Sequence, residues 1–319
     1  MNSSRRDFLK KAALAGVSIA VASARGETPA ANPARLPRRK FGGHPDELSV
    51  VGFGGIVVKD TEQSHANRVV AEFYEKGINY YDVAPGYGDA EINLGPALAP
   101  YRKNCFLACK TGRRDRVGAE QEFRRSLERL QTDYFDLYQL HAITDVAKDV
   151  DAAFAPGGVM EFLVQAKKDG RVRYLGFSAH SVEAARAALE RHPFDSVLFP
   201  VNFASYLADG FGPQILALAE EKGAARLALK ALAKQTWPKD SPLREEYKKC
   251  WYEPLVDPRE AGLALRFTLG KSVTAALPPG DERLFRLAVD LAFRLQPLTA
   301  DDEKELALLA GQINPLFRA

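Results

Sequence analysis

Apolar and polar residues follow one another in a regular order from about residue 48 onward. Short apolar runs rich in β-branched and aromatic residues are separated by longer stretches with helical spacing. Eight runs are predicted to be strands: 49–53, 78–82, 105–109, 134–140, 172–177, 195–201, 226–231 and 272–277. Buried strands that are each followed by a helix are typical of a parallel sheet. Eight such units in about 250 residues predict an α/β fold, the closed (β/α)8 TIM barrel.

Helix-capping residues support this division of the chain. Ser181 is a predicted N-cap, and Thr299 with Asp302 three residues later predicts the start of a last helix over 300–310. The alternative to a barrel is an open, doubly wound sheet. No G-x-G-x-x-G motif follows the first predicted strand, as a dinucleotide-binding sheet of that kind would require.

The first residues have the pattern of an export signal. The segment 4–10 reads Ser-Arg-Arg-Asp-Phe-Leu-Lys, which matches a twin-arginine motif. A mostly apolar stretch over 12–22 follows, and it is shorter than the roughly 20 apolar residues that span a bilayer. Ala22-Ser23-Ala24 then offers a small-x-small cleavage site. The alternative is a short amphipathic helix that begins with basic residues.

We therefore predict that the twin-arginine machinery exports the folded protein to the periplasm. The predicted organisation is a signal peptide over 1–24, a linker over 25–40 and one barrel over 41–319.

Composition narrows the possible functions. Apolar residues make up 46% of the chain, which is enough for a large core and excludes disorder over most of it. The net charge is only +3, so we predict no nucleic-acid partner. Three cysteines form neither a disulfide framework nor a metal-ligand spacing. We predict no metal and no stable membrane span.

Polar residues stand at or near the ends of six successive predicted strands: Asp82, Lys110, His141, Ser178, Asn202 and Lys230. The carboxyl ends of barrel strands form the face on which active sites are built. Any one of these residues could instead cap a turn or a helix. Lys110 follows an apolar run and needs a carboxylate partner, which Asp82 on the neighbouring strand could supply.

Five segments carry a resemblance to a known family: 49–55, 78–88, 106–110, 133–141 and 170–178. In these segments the sequence resembles the aldo-keto reductases, from about residue 38 to 311. The resemblance implies a catalytic tetrad of Tyr87, Lys110, Asp82 and His141. It also implies that Ser178 holds the carboxamide of a nicotinamide cofactor.

Carbonyl reduction needs a hydride on carbon and a proton on oxygen. A nicotinamide cofactor supplies the hydride, and Tyr87 is expected to supply the proton. We expect Lys110 to lower the pKa of Tyr87 and Asp82 to keep Lys110 charged. His141 is expected to donate a hydrogen bond to the carbonyl oxygen and so stabilise developing negative charge.

The cofactor is expected to contact seven residues: Gly54, Gly55, Ser178, Asn202, Lys230, Gly280 and Arg283. Three positions depart from the family pattern. Ala179 replaces an Asn, Leu198 replaces a Gln, and Lys230-Ala231-Leu232-Ala233 lacks the usual aromatic residue.

The adenosine end of the cofactor is expected near Gly280. Glu282 stands where the family usually has an Arg, and a carboxylate there would repel a 2′-phosphate. Arg283 and Arg286 share a helix face and could restore the phosphate contact. NADPH is therefore the expected cofactor, with NADH possible and with weaker discrimination than is usual for the family.

Substrate contacts are expected in the long segment 232–257, where Trp237 and Trp251 are candidate pocket residues. Alternatively, both side chains simply pack this loop onto the barrel. The main rival function is a catalytically weak cofactor-binding sensor or partner subunit on the same barrel. A barrel metallohydrolase is disfavoured, because the five histidines are scattered along the sequence.

Overall fold

A computed structural model describes residues 35–318 of the chain, apart from the side chain of Asp209. The predicted signal peptide and residues 25–34 of the predicted linker lie outside the described residues. The last residues of that linker, Arg38–Lys40, form a strand that pairs antiparallel with Glu47–Ser49. None of the described helices combines the length and apolar character needed to cross a bilayer.

The strands and helices are numbered in chain order. The strands are β1 (Arg38–Lys40), β2 (Glu47–Ser49), β3 (Phe53–Gly54), β4 (Tyr80–Asp82), β5 (Phe106–Thr111), β6 (Phe135–Ile143), β7 (Val172–Ala179), β8 (Ser196–Pro200), β9 (Ala225–Leu229), β10 (Ala233–Gln235), β11 (Glu253–Pro254) and β12 (Ala275–Leu277). The α-helices are α1 (Gln63–Glu75), α2 (Ala90–Leu98), α3 (Arg116–Arg129), α4 (Ala152–Phe154), α5 (Val159–Lys168), α6 (Val182–Arg191), α7 (Phe203–Asp209), α8 (Pro213–Glu221), α9 (Leu243–Glu246), α10 (Pro258–Leu269), α11 (Glu282–Ala292) and α12 (Ala300–Ala310).

Eight of the strands form one parallel sheet in the order β3-β4-β5-β6-β7-β8-β9-β12. A parallel bridge between Val51 and Ala276 brings the two edges of the sheet together, so the barrel is nearly closed. The predicted (β/α)8 class is confirmed.

One predicted strand divides into two. The apolar run 49–53 ends one strand, β2, and begins another, β3. The Ser49 hydroxyl donates to the Val51 carbonyl at 2.8 Å, within the short connection between them. Ser49 therefore belongs to a hairpin at the amino end of the barrel, and only Phe53 and Gly54 join the parallel sheet.

The β1–β2 hairpin region closes the amino end of the barrel. The Phe41 ring is fully buried, 5.0 Å from the Phe106 ring and 5.1 Å from the Tyr174 ring between centroids. Phe41 joins the cluster of inward-facing strand residues that fills the barrel, which includes Tyr80 and Leu198. The carboxyl ends of the strands are therefore left to carry a site.

The predicted helix caps agree with the structure. The Ser181 hydroxyl accepts from the backbone N–H of Ala184 at the start of α6. Thr299 and Asp302 form a reciprocal capping box at the start of α12, which spans the predicted 300–310.

Candidate active site

A buried ion pair lies at the carboxyl ends of β4 and β5. Asp82 is 2% exposed and accepts from the ammonium of Lys110, which is 1% exposed. The same carboxylate accepts from Gln139 Nε2 at 3.0 Å and from the Tyr80 hydroxyl at 3.2 Å. The structure therefore brings the predicted Asp82–Lys110 pair together. It also shows two further hydrogen-bond donors to the Asp82 carboxylate.

The ion pair keeps Lys110 protonated. Burial alone would lower the pKa of the Lys110 ammonium, but Asp82 and Tyr87, with a smaller contribution from Cys109, together raise that pKa above its ordinary value. Lys110 Nζ also donates to the Val83 carbonyl at 3.2 Å. The ammonium is thus charged and fixed in direction.

Tyr87 lies beside this ammonium. Lys110 Nζ is 5.4 Å from the centroid of the Tyr87 ring. The sequence led us to expect a lowered Tyr87 pKa, but the structure indicates a raised one. Burial raises the pKa of the phenol by more than the Lys110 charge lowers it. Tyr87 therefore keeps its proton at neutral pH.

His141 stands on an irregular part of β6. Its ring meets the Tyr87 ring edge to face, with centroids 5.6 Å apart. The pairing of β6 with β7 shifts between Leu140 and Ile143, and Ala142 has a left-handed φ of 54°. The Ala142 N–H donates to Ser178 Oγ at 2.7 Å, which holds this irregularity in place.

The charge state of His141 follows from its surroundings. Burial, followed by the nearby charge of Lys110, lowers the pKa of its imidazole to about 3. A neutral imidazole has one N–H donor and one acceptor nitrogen. His141 can therefore donate a hydrogen bond beside Tyr87 without adding a charge.

Six of the predicted site residues line one cavity at this end of the barrel: Gly54, Asp82, Tyr87, Lys230, Trp251 and Gly280. A Cβ added at Gly54 would meet no atom within 4 Å, so the cavity is open at that point. Gly280 is different, because a Cβ there would lie 2.2 Å from Ile56 Cγ2. Gly55 also faces a neighbour, Val83, and its small size serves packing.

Asn202 was expected to contact the cofactor, but its side chain is used within the protein. Its carbonyl oxygen accepts from the N–H groups of Ala204 and Ser205 at the start of α7. Its amide nitrogen donates to the carbonyls of Lys230 and Ala233. All four hydrogen-bonding positions of the amide are filled, so we withdraw Asn202 as a ligand contact.

Trp237 also lies elsewhere than expected. Its indole N–H donates to the Cys250 carbonyl at 2.9 Å, and its ring packs against a cluster that includes Tyr247 and Leu284. The structure therefore favours a packing role for Trp237 within the segment 232–257. Trp251 in the same segment is 59% exposed and lines the cavity.

The arginines expected to hold a 2′-phosphate are paired with carboxylates. Arg283 donates to Glu246 at 2.7 Å and to Asp281 at 3.0 Å. Arg286 donates to Glu72 at 2.6 Å and to Glu282 at 2.9 Å. His65 Nε2 lies 2.6 Å from Glu282 Oε2. Neither guanidinium is available to a phosphate without giving up these contacts.

Sequence reasoning missed the two additional partners of Asp82. Tyr80 and Gln139 each lie two residues before a predicted catalytic residue on the same strand. Because strand residues two apart point to the same face, this spacing was the available signal. Tyr252 also lines the cavity, as an aromatic residue of the segment 232–257 that was predicted to form a pocket wall. Lys249 lines it too, and nothing in its local sequence marked it.

The described residues contain no group of three or more His, Cys, Asp or Glu side chains suited to a metal ion. The groups gathered around this end of the barrel include the Lys110–Asp82 ion pair, the Tyr87 phenol, the His141 imidazole and the Lys230 ammonium.

Comparison with known proteins places these residues in context. The family model described as "Aldo/keto reductase family" matches residues 50–250. L-galactose dehydrogenase of Arabidopsis thaliana is 26% identical over 299 residues, which are 84% of this chain and 92% of that protein. The aldo-keto reductase str7 of Strobilurus tenacellus is 30% identical over 62% of each chain. The uncharacterized oxidoreductase YqkF of Bacillus subtilis is 34% identical over 158 residues, so the match spans about half of its length.

Solved structures share the fold. The holo form of aldo-keto reductase AKR11C1 from Bacillus halodurans has a TM-score of 0.67 at 24% identity, over 86% of this chain and 96% of that one. Glycerol dehydrogenase AKR11B4 from Gluconobacter oxydans has a TM-score of 0.64 at 22% identity, over 91% of this chain and 100% of that one.

The low pKa of His141 can be measured directly. We expect the ring resonances of His141 in NMR spectra to stay unchanged from pH 8 to pH 5, because a group with a pKa of about 3 remains neutral throughout that range. The His141→Gln variant assigns the resonance among the five histidines. A titration midpoint near pH 6.5 would contradict the burial of the His141 imidazole.

Proposed function

The chain belongs to the aldo/keto reductase family, and from this premise we propose that it reduces aldehyde or ketone carbonyls to alcohols with NADH or NADPH. The observation that carries the proposal is the convergence of Asp82, Lys110, Tyr87 and His141 at the carboxyl ends of β4 to β6. The charged Lys110, the protonated Tyr87 and the neutral His141 suit carbonyl reduction.

The cavity fits a nicotinamide nucleotide. Gly54 leaves one wall open, and Gly280 brings the backbone before α11 to the cavity without a side chain. Ser178 accepts from Ala142 and still has its own O–H to donate to a carboxamide. When bound, the reduced cofactor supplies a hydride to the carbonyl carbon.

The protein residues supply the proton and the electrostatic stabilisation. The Tyr87 hydroxyl gives its proton to the carbonyl oxygen as negative charge develops there. Lys110 stabilises the resulting tyrosinate, and Asp82 holds Lys110 in position. The His141 N–H donates to the same carbonyl oxygen, which orients the substrate and stabilises the charge. The product is an alcohol, and solvent reprotonates Tyr87.

We propose that this protein uses NADH at least as well as NADPH, despite the sequence-based expectation of NADPH. A 2′-phosphate near the start of α11 would meet carboxylates from Glu282, Asp281 and Glu246, while Arg283 and Arg286 are already paired. A free ribose 2′-hydroxyl can donate to a carboxylate instead.

The N-terminal segment supports a further part of the proposal. The twin-arginine motif, the short apolar stretch and the small-residue site occur in the order of an export signal. We propose export to the periplasm by the twin-arginine machinery, which carries proteins already folded and loaded with cofactor.

Replacing the proton donor tests the proposed chemistry. We expect Tyr87→Phe to reduce kcat for benzaldehyde reduction by about 100-fold or more, the scale of losing a general acid. Binding of NADH, followed by fluorescence, should be unchanged. Tyr101→Phe is the matched control, since the Tyr101 ring stacks on Tyr74 outside the cavity. Near wild-type turnover by Tyr87→Phe would refute the assignment.

Removing one carboxylate tests the proposed cofactor choice. We expect the ratio of kcat/KM for NADPH over NADH to be at or below one in the wild type. It should rise about fivefold in Glu282→Gln, because the variant loses roughly 1 kcal/mol of repulsion between the Glu282 carboxylate and a 2′-phosphate. Asp290→Asn, an exposed residue of the same helix, is the charge-matched control. A clear wild-type preference for NADPH would exclude the proposal that Glu282 disfavours the 2′-phosphate.

Export can be tested by cell fractionation. Conversion of both Arg5 and Arg6 to Lys should leave folded, active enzyme in the cytoplasm, because the motif precedes the barrel. The same change at the exposed residues Arg35 and Arg38 should have no effect on export. An equal periplasmic yield from wild type and the Arg5/Arg6 variant would rule out this route.

A further inference from the structure

Lys230 occupies an unusual position at the end of β9. Its backbone has a left-handed φ of 66°, which is uncommon for a residue with a long side chain. The Lys230 carbonyl accepts from Asn202 Nδ2 at 3.1 Å and from the N–H of Ala233 at 3.0 Å. These two bonds hold the strained backbone conformation of Lys230. With this conformation, the Lys230 side chain forms part of the cavity lining.

Two aromatic rings surround the head of this lysine. Lys230 Nζ lies 4.9 Å from the centroid of the Trp251 ring and 4.9 Å from that of the Tyr252 ring. The two rings meet nearly at right angles, with an interplanar angle of 87°. Such an arrangement stabilises an ammonium by cation–π attraction, but it does not neutralise the charge.

No carboxylate of residues 35–318 lies within ion-pair distance of Lys230 Nζ. This distinguishes Lys230 from Lys110, whose charge Asp82 balances in the same cavity. The low pKa of His141, which is due first to burial, is lowered further by the charge of Lys230. Lys230 therefore lies near the reacting groups as a cation without a counter-charge.

A half-buried cation without a counter-charge is destabilising, and an anionic ligand reduces that cost. Burial lowers the pKa of Lys230 to about 8, so the ammonium form still predominates at neutral pH. Charge-assisted hydrogen bonds are about twice as strong as neutral ones. The cavity therefore combines a carbonyl-reducing group, Tyr87, with a cation that is free to bind an anion.

We propose that Lys230 is the anion-binding residue of the catalytic cavity and selects carbonyl substrates that carry a carboxylate. This inference rests on the proposed reductase function and names its substrate class.

An ammonium also binds phosphate, so the diphosphate of the cofactor is a second anion of suitable chemistry. Lys230 and Gly280 line the same cavity, and Lys230 Nζ lies over the ring of Trp251, the candidate substrate residue. The contact with Trp251 favours the carboxylate of a substrate. The two sources are separated by the experiment, because a cofactor contact would affect charged and neutral substrates alike.

The test compares each carboxybenzaldehyde isomer with its methyl ester, which has the same aldehyde but no charge. We expect wild-type kcat/KM for the best acid to exceed that for its ester by about tenfold or more, as one charge-assisted bond implies. In Lys230→Met this ratio should fall to about one through a rise in KM for the acid. The ester and the dissociation constant of NADH are measured in the same variant, so that any loss shared by acid and ester cancels in the ratio. Lys230→Arg should retain the preference.

Lys271→Met is the matched control. Lys271 Nζ also lies over two rings, 4.4 Å from the Phe267 centroid and 5.3 Å from the Tyr206 centroid, but Lys271 does not line this cavity. This variant should keep the acid preference. Equal thermal unfolding midpoints for both variants would exclude a purely structural effect of Lys230→Met.

A binding measurement makes the test independent of turnover. We expect hydroxymethylbenzoate, the product of the acid substrate, to change the fluorescence of Trp251 in wild type, and the binding to be lost in Lys230→Met. A wild type that reduces the esters but shows no acid preference would overturn the proposal for Lys230 alone. The proposal for Lys230 would also be overturned if Lys230→Met lowered kcat/KM equally for the acid and the ester and bound NADH more weakly. Failure to reduce any aldehyde would overturn the reductase function instead.

Discussion

The buried ion pair between Lys110 and Asp82 is the constraint on which the site depends. Removing two charges from water costs several kcal/mol per ion, and their attraction repays this only when the remaining hydrogen bonds are made. Tyr80 and Gln139 make two of those bonds to Asp82. The strands β4, β5 and β6 must therefore keep one register, since each supplies a member of the network. A shift of one residue would turn the charged groups to the opposite face.

Two strained backbone positions lie at the carboxyl ends of β6 and β9, Ala142 beside His141 and Lys230 in the cavity lining, and a side chain from the adjacent strand end holds each of them. Ala142 is held by Ser178, and Lys230 is held by Asn202. Left-handed conformations of such residues cost on the order of 1–3 kcal/mol and persist when their surroundings fix them. Ser178 and Asn202 thus act on the site through the backbone, whatever ligand it holds: one fixes the bulge beside His141, and the other directs Lys230.

The sequence predicted most of the barrel and the position of the reacting groups, because both depend on local patterns. Apolar strand runs and polar strand ends are visible along the chain, so Asp82, Lys110 and His141 could be assigned to neighbouring strand ends. Features that depend on tertiary packing could not be predicted. Trp237 and Trp251 lie in one segment with similar sequence surroundings, yet only Trp251 reaches the cavity. The pairing of Arg283 with Glu246, 37 residues away, depends on packing and could not be predicted, whereas its pairing with Asp281, two residues away, was visible in the sequence.

The charge states at the cavity bear on the direction of the proposed reaction. Reduction consumes a proton from Tyr87, whereas oxidation of an alcohol needs the tyrosinate to accept one. Burial raises the pKa of Tyr87 even with the Lys110 ammonium beside it, so tyrosinate is scarce at neutral pH. His141 is neutral at the same pH and can only donate or accept a hydrogen bond, so it does not supply a second acidic proton. The resting site therefore holds one transferable proton on the phenol, with an ammonium positioned to stabilise the anion left after transfer. In the proposed mechanism this arrangement supplies the proton that reduction needs at neutral pH, whereas oxidation would need the Tyr87 proton to be removed first.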